Sequence, residues 1–558
     1  MNKTGMLFLM IASAVARAQA ADWLSLSVVK PVTSCEQLAS ADFSKADVTG
    51  VSIQSATVLQ SPKGPFCKVT GNIEPAVSFQ VYLPIERWTQ RFAQSAQNTL
   101  PVARSGTNQP ALNGELVLAI TDKGGPGISR ETPWTYDNQQ KRIDWAYRAN
   151  HVTSLVAKAL IKAFYGQAQR YSYFIGCSMG GRETLAEAQR FPEDFDGIVA
   201  GAPVVIDSVH NAFFPGWEWQ ANRRADGSII LASNRLSILH DAVMKQCAQP
   251  SGVLDGVLQH ATACKFDPVW VQCVAGTSDI SRCLTRDEAR VAQKLYDGPT
   301  DSAGRHLDGG GFPLGSELRW QLSTEASPAN EATNPGRALM RMLSPSDPAE
   351  TPATMDQNFA FNQEWFDKVA MMAPLWNTAN TNLRPFQKHG GKLILWVGGS
   401  DLTVQPTTTI AYYENLQKAL GAQQTDRFAR FFLLPGVGHC GGGEGAAQLD
   451  VLTPLMAWTE LNHAPQALVV GKTASGGGDV PTNPYAQPAA PTLFTRPVFP
   501  YPAVAQYSGK GDSTDAANYR SMKPALKVPQ QFPPEIMQFF GPDNQKFYRV
   551  ENGALAVW

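Results

Sequence analysis

The sequence predicts an α/β protein: a mostly parallel sheet flanked by helices and interrupted by a large insertion. Three observations carry this. Residues 170–191, RYSYFIGCSMGG followed by RETLAEAQRF, read as an apolar strand passing through a tight glycine turn into a helix. The same rhythm returns at 391–420, where GKLILWVGGSD is a buried strand with a polar end and a helix follows from about Thr409 to Leu420. Between them, from about Val205 to Thr378, the texture changes to short irregular segments rich in Gly, Pro and Trp.

The elements in chain order fit this reading. Met1 to Ala20 has a lysine at position 3, an apolar stretch and Ala18-Gln19-Ala20 as a small-x-small cleavage site. It reads as a secretory signal peptide, with an apolar part too short for a membrane span; a buried first helix is the competing reading. Val51 to Ile85 contains strand-like runs such as VSFQVYLPI, and Gly114 to Asp122, GELVLAITD, reads as a buried strand. Ala146 to Tyr165 has apolar residues at helical spacing. Phe428 to Cys440, FARFFLLPGVGHC, is a strand leading into a glycine-rich loop, and the tail beyond about Ser475 is expected to hold little regular structure. With 47 basic and 48 acidic residues, and no basic run interleaved with aromatics, the chain gives no sign of a nucleic-acid partner. No other stretch is apolar enough to span a bilayer, so a soluble protein, secreted or periplasmic, is expected.

Export changes how the eight cysteines read, because an even number in an oxidising compartment suggests disulfides. Cys247 with Cys264 and Cys273 with Cys283 are close in sequence and suit local loops; this leaves Cys35 with Cys67 and Cys177 with Cys440. A zinc site competes poorly, since neither close pair has Cys-x-x-Cys spacing or a suitable histidine.

Gly176-Cys177-Ser178-Met179-Gly180 meets the requirements of a nucleophile elbow, in which small residues on either side of the serine allow a sharp strand-to-helix bend. The helix N-terminus beyond it offers unpaired N–H groups to a developing oxyanion, Met179 N–H first among them. With the order serine, acid, histidine, two histidines follow the strand-end acid Asp401. His463 sits in a polar loop with no strand leading to it, whereas His439 ends a strand before a run of glycines. Asp401 can hold the imidazole tautomer of His439 and stabilise its cationic form. If Ser178 and His439 meet, so do their neighbours Cys177 and Cys440. The alternative is that Cys177 is a free thiol and itself the nucleophile.

At these residues the sequence resembles the tannase and feruloyl esterase family of α/β-hydrolases, which includes terephthalate monoester hydrolases. The resemblance rests on Cys177-Ser178, Asp401 and His439-Cys440, and extends through GGRETLAEAQRFPEDFDGIVAGAP, FDKVA, GHCGGG and RPVFPYPAVAQYSGKGDSTDAANY. It implies an α/β-hydrolase fold with a Ser178–His439–Asp401 triad and a disulfide between Cys177 and Cys440. The implied division is a signal peptide at 1–20, a catalytic domain at 21–204 and 379–558 with a Gly/Pro-rich tail, and an inserted lid at 205–378. The implied substrates are small aromatic acid esters (feruloyl or other hydroxycinnamoyl, galloyl, or terephthalate monoester), free or attached to plant polysaccharide or polyphenol. Arg319, with Arg337 and Arg341 behind it, is the candidate cation for an acidic substrate, and Met179 the candidate lining of the acyl pocket.

Two departures from the family pattern bear on activity. Family members commonly carry a lid calcium built from aspartates; here CAQPSGVLDGVLQHATAC, 247–264, has Ala248 and Ser251 at such places. Asp255 with the carbonyls of Val253 and Val257 falls short of the roughly six to eight oxygens calcium takes, so no metal or other cofactor is expected. The loop WTQRFAQSAQNTLPVA, 88–103, lacks the glycines that usually precede the second oxyanion donor, leaving Gln97 or Asn98 for that part. A weakly active or non-catalytic homologue, whose lid binds aromatic or polysaccharide ligands, is the competing function.

Overall fold

The computed structural model describes residues 23–96, 109–125, 138–247, 253, 256–259, 261, 264–320, 342–344, 358–474, 492–523, 532–542 and 544–558. The signal-peptide segment and Gln97, Asn98, Asp255, Arg337 and Arg341 lie outside the described residues.

Among the described residues nine strands form one sheet: β1 (Val51–Leu59), β2 (Phe66–Ile73), β3 (Val77–Pro84), β4 (Arg91–Ser95), β5 (Leu116–Thr121), β6 (Tyr171–Cys177), β7 (Gly197–Gly201), β8 (Lys392–Gly398) and β9 (Ala429–Leu434). Their spatial order is β1-β2-β3-β5-β4-β6-β7-β8-β9. The first four in that order pair antiparallel, and from β5 through β9 every pair is parallel. The two halves carry different hydrophobic patterns. β2 and β3 alternate buried with half-buried positions, while β4, β5 and β7 are buried at every residue. A parallel strand covered by helices on both faces needs a continuous apolar run, and FIG, IVAG and LILWVG supply it.

Six helices matter below: α1 (Ala149–Tyr165), α2 (Met179–Arg190), α3 (Asp207–Ala221), α4 (Arg286–Asp297), α5 (Pro406–Leu420) and α6 (Leu452–Leu461). The helical spacing expected from Ala146 begins as a π-helical turn, Asp144–Arg148, that runs directly into α1. α1 buries Val152, Val156, Leu160, Ile161 and Phe164, and ends where Gly166 takes the left-handed conformation with φ 70°. α2 packs on β6 and β7.

The segment between β7 and β8 carries its own apolar cluster, including Trp217, Leu231, Leu239, Leu295, Phe312 and Trp320. α4 enters that cluster through a capping box, in which Thr285 and Glu288 satisfy each other's backbone N–H. α3 is the seam: Phe213 packs into the main core and its neighbour Phe214 into the second cluster. The C-terminal region departs from expectation. It holds antiparallel pairs, Leu468–Thr473 with Thr492–Val498, Val504–Tyr507 with Tyr519–Met522, and Tyr548–Glu551 with Ala554–Val557. These strands are short and partly exposed, so their alternation is too brief to stand out between glycines and prolines.

Four disulfides form: Cys35–Cys67, Cys177–Cys440, Cys247–Cys264 and Cys273–Cys283, leaving no free cysteine. A buried ion pair fixes the other end of the sheet. Arg91, the first residue of β4, makes a bidentate contact with Glu460 of α6, at 2.7 Å through both Nε and Nη2. The same carboxylate accepts from Tyr173 Oη at 2.6 Å and from Leu24 N–H at 2.8 Å. Both charged side chains are out of solvent, at 1% and 0% exposure, so removing one strands the other. Glu460→Ala is therefore expected to cost about 3–5 kcal/mol in urea denaturation, and Arg91→Met with Glu460→Leu to recover most of that loss.

Candidate active site

β6 ends at Cys177 and α2 begins at Met179, so Ser178 alone makes the turn, at φ 66° and ψ −126°. A side chain with a Cβ holds such a conformation at a cost of about 1–3 kcal/mol, and persists only where the surroundings fix it. Here Ser178 N–H donates to Gly201 O at 2.9 Å, and Ser178 O accepts from Arg182 N–H at 3.0 Å. The bend also brings Gly180 O against Gly176, where a Cβ would collide with it. The serine is half-buried, at the carboxyl end of a parallel strand beside β4, where the strand order reverses. Ligand sites in such sheets form at this place.

Asp401 follows β8 and is fully buried. Its Oδ1 accepts from Thr403 N–H and Val404 N–H, both at 2.9 Å. His439 Nδ1 lies 3.1 Å from Asp401 Oδ1 and 3.0 Å from Oδ2. A carboxylate only accepts, so Nδ1 carries the proton in this contact, and Nε2 lies 3.8 Å from Cys440 Sγ.

The loop carrying His439 has far to reach. β7 and β8 separate β6 from β9, a distance of about 14 Å at ordinary strand spacing. The loop after β9 folds back across it. Gly399 N–H donates to Leu434 O at 2.7 Å and Ser400 N–H to Val437 O at 2.9 Å, stitching this loop to the one that holds Asp401. Cys440 takes φ 57°, and its sulfur joins Cys177 with the two Cα atoms 5.9 Å apart. Ser178 and His439 are thus neighbours through their bonded neighbours; the Ser178 hydroxyl makes no hydrogen bond among the described residues. Under the disulfide lies a cavity of about 50 Å³, lined by Ile175, Val199, Trp396 and Val437 among others.

Met179 Sδ receives Asn211 Nδ2 at 3.5 Å, so its side chain leans on α3 of the insertion. Arg319 is half-buried, its guanidinium pressed on Gly438 so closely that a Cβ there would collide with it; its Nη1 is buried without a hydrogen-bond partner among the described residues. Val257 also packs on this loop, at Gly436, and His463 is exposed after α6. Among the described residues, His151, Glu187 and Asp194 form a group with metal-like spacing, but His151 Nδ1 already meets Asp194 at 2.6 Å and Lys158 Nζ lies 3.6 Å away.

Sequence reasoning passed over one network behind the elbow. Lys123 Nζ donates to Glu183 of α2 at 2.9 Å and to Ala96 O at 3.2 Å, and sits 4.3 Å from the Trp145 ring centroid. Asn150 Nδ2 donates to the other Glu183 oxygen at 2.9 Å. The one signal for it was a glutamate on what proves to be a fully buried stretch of α2.

Comparison with known proteins shows the family and the fold. The family model described as "Tannase and feruloyl esterase" matches residues 57–522. The mono(2-hydroxyethyl) terephthalate hydrolase of Piscinibacter sakaiensis is 30% identical over 521 residues, covering 80% of this chain and 82% of that one. A probable feruloyl esterase of Arthroderma benhamiae is 31% identical over 475 residues, covering 81% and 83%. The crystal structure of feruloyl esterase B from Aspergillus oryzae superposes with a TM-score of 0.70 at 22% identity, covering 88% of this chain and 99% of that one, a likeness of fold. The expected α/β-hydrolase fold is thus met, and the chain belongs to the tannase and feruloyl esterase family as an ester-hydrolysing enzyme.

Proposed function

We propose that the protein is an exported esterase that hydrolyses aromatic carboxylic esters through Ser178, His439 and Asp401. One observation carries the reading: a histidine backed by a buried aspartate sits next to a disulfide whose other cysteine precedes a strained serine. His439 Nε2 takes the Ser178 proton as Oγ attacks the ester carbonyl. Met179 N–H, at the start of α2, donates to the oxyanion. The second donor is assigned to Gln97 or Asn98 on sequence grounds alone. The tetrahedral intermediate expels the alcohol with the proton from His439. Water, deprotonated by the same nitrogen, then releases the acid and restores the serine.

The Cys177–Cys440 bridge closes a sequence separation of 263 residues, worth about 5 kcal/mol in the chain-entropy model. Its proposed role is to hold nucleophile and base together across the insertion. Residues 205–378 are read as a lid over the site, with Met179 and Arg319 contributing to the acyl pocket. The aromatic acyl group follows the names of the relatives, which act on feruloyl esters and on a terephthalate monoester. The Arg319 nitrogen beside the histidine loop, without a hydrogen-bond partner among the described residues, would favour an acyl group with its own carboxylate. Four disulfides suit an oxidising compartment, in keeping with export.

Hydrolysis of methyl ferulate, methyl gallate and mono(2-hydroxyethyl) terephthalate tests the reading. Ser178→Ala is expected to lower kcat by about 10⁵-fold or more, and Asp401→Asn by about 10⁴-fold. Equal rates for wild type and Ser178→Ala would leave only a ligand-binding homologue. Reduction of Cys177–Cys440 is expected to lower the rate before circular dichroism reports unfolding; full activity after verified reduction excludes a catalytic role for the bond.

A further inference from the structure

His210 of α3 is buried, at 4% exposure, and both of its ring nitrogens face acceptors. Nδ1 is 2.8 Å from Asp308 Oδ2, and Nε2 is 2.8 Å from the carbonyl oxygen of Thr403. A carbonyl has no proton to give, so Nε2 donates to it; beside an ionised Asp308 carboxylate Nδ1 donates as well, which makes the ring an imidazolium. The carbonyl it reaches belongs to the same planar peptide as Val404 N–H. That N–H, pointing the opposite way, donates to Asp401 Oδ1 at 2.9 Å. The chain of contacts thus runs from Asp308 through His210, across one peptide unit, to Asp401 and on to His439.

We propose that His210 is a positioning residue for ester hydrolysis: a buried imidazolium that orients and polarises the Thr403–Val404 peptide, and so sets the hydrogen bonding and basicity of Asp401. The inference rests on Asp401 being the acid of the triad. A cation at the carbonyl end of a peptide draws electron density away from its N–H, making that group a stronger donor to a carboxylate. The arrangement also couples two regions. His210 and Asp308 both lie between β7 and β8, whereas Thr403 lies in the loop after β8, so the insertion holds the acid loop in register.

The charges around the ring favour the cation. Burial opposes it, but the Asp308 carboxylate, the bond to the Thr403 carbonyl and Asp207 on the same helix outweigh burial and raise the His210 pKa. Asp207 is itself shared, with Arg182 Nε of α2 3.4 Å away. The Phe214 ring stacks on the imidazole at 5.3 Å between centroids. Because the folded-state pKa is raised, the stabilisation is complete below the unfolded value of about 6.5 and is lost as pH rises through the folded value.

Two measurements test this. In ¹⁵N-histidine-labelled wild type at pH 7.5, the His210 signals, assigned by their loss in His210→Gln, are expected to show both nitrogens protonated; a ring with one proton overturns the proposal. This readout needs no activity, so it stands apart from any failure of the proposed esterase. The second is the pH profile of kcat/KM for wild type, His210→Phe and His210→Gln. Gln can keep a neutral donor towards Thr403, and should recover stability relative to Phe. Both variants should nevertheless shift the acid limb upward by about half a pH unit, because losing the cation makes Asp401 and hence His439 more basic. An acid limb unmoved in His210→Gln shows that His210 only anchors the loop, and overturns the proposal.

Discussion

The site depends on bringing the end of β9 back to the end of β6. Two strands lie between them. The Asp401 loop is stitched to the His439 loop by backbone hydrogen bonds at Gly399 and Ser400. The glycines at 438 and 441–443 let the returning chain lie flat: Gly438 admits the Arg319 guanidinium, and Gly442 O receives the Gly438 N–H at 3.1 Å. The disulfide to Cys177 then fixes the endpoint. The role proposed for this covalent tie is to hold the two proposed catalytic loops together across the long excursion between β7 and β8.

Buried charge organises the rest. Arg91 with Glu460 pins the starts of β4 and β6 to α6, Lys123 with Glu183 sits behind the elbow helix, and His210 with Asp308 backs the acid loop. Such pairs add little net stability, since each ion gives up hydration to enter the core. They penalise misplacement instead, because a loop that moves away leaves an unpaired charge in an apolar surround. All three join elements distant in sequence, and two of them adjoin the elbow or the acid loop. Strain at Ser178 fits the same logic, since its positive φ survives only because β7 and α2 hold both of its backbone polar groups.

Much of this was legible in the chain. Strands with unbroken apolar runs, such as FIG leading into CSMGG, declared a parallel sheet, and their order relative to helices placed Ser178 at a strand-to-helix turn. The order of serine, aspartate and histidine along the chain, each at the end of a strand, picked out residues at the carboxyl edge of the sheet. The C-terminal hairpins were not legible, because four-residue strands carry too few alternations to separate from a loop. Nor were the partners of Arg319. SELRWQL offered Arg319 as a candidate substrate cation with no sign of its neighbours, and its contact with Gly438 follows from how the insertion settles on the histidine loop.

The sequence by itself determined the fold class, the family and the identity of the residues proposed for catalysis, because each is written in short patterns of neighbouring side chains. Only the tertiary structure decided what stands behind those residues. His210 and Asp308 are 98 positions apart, and His210 reaches a carbonyl 193 positions away. Hydrogen bonds between residues so far apart leave no local periodicity, and they exist only once the sheet and the insertion have closed around them.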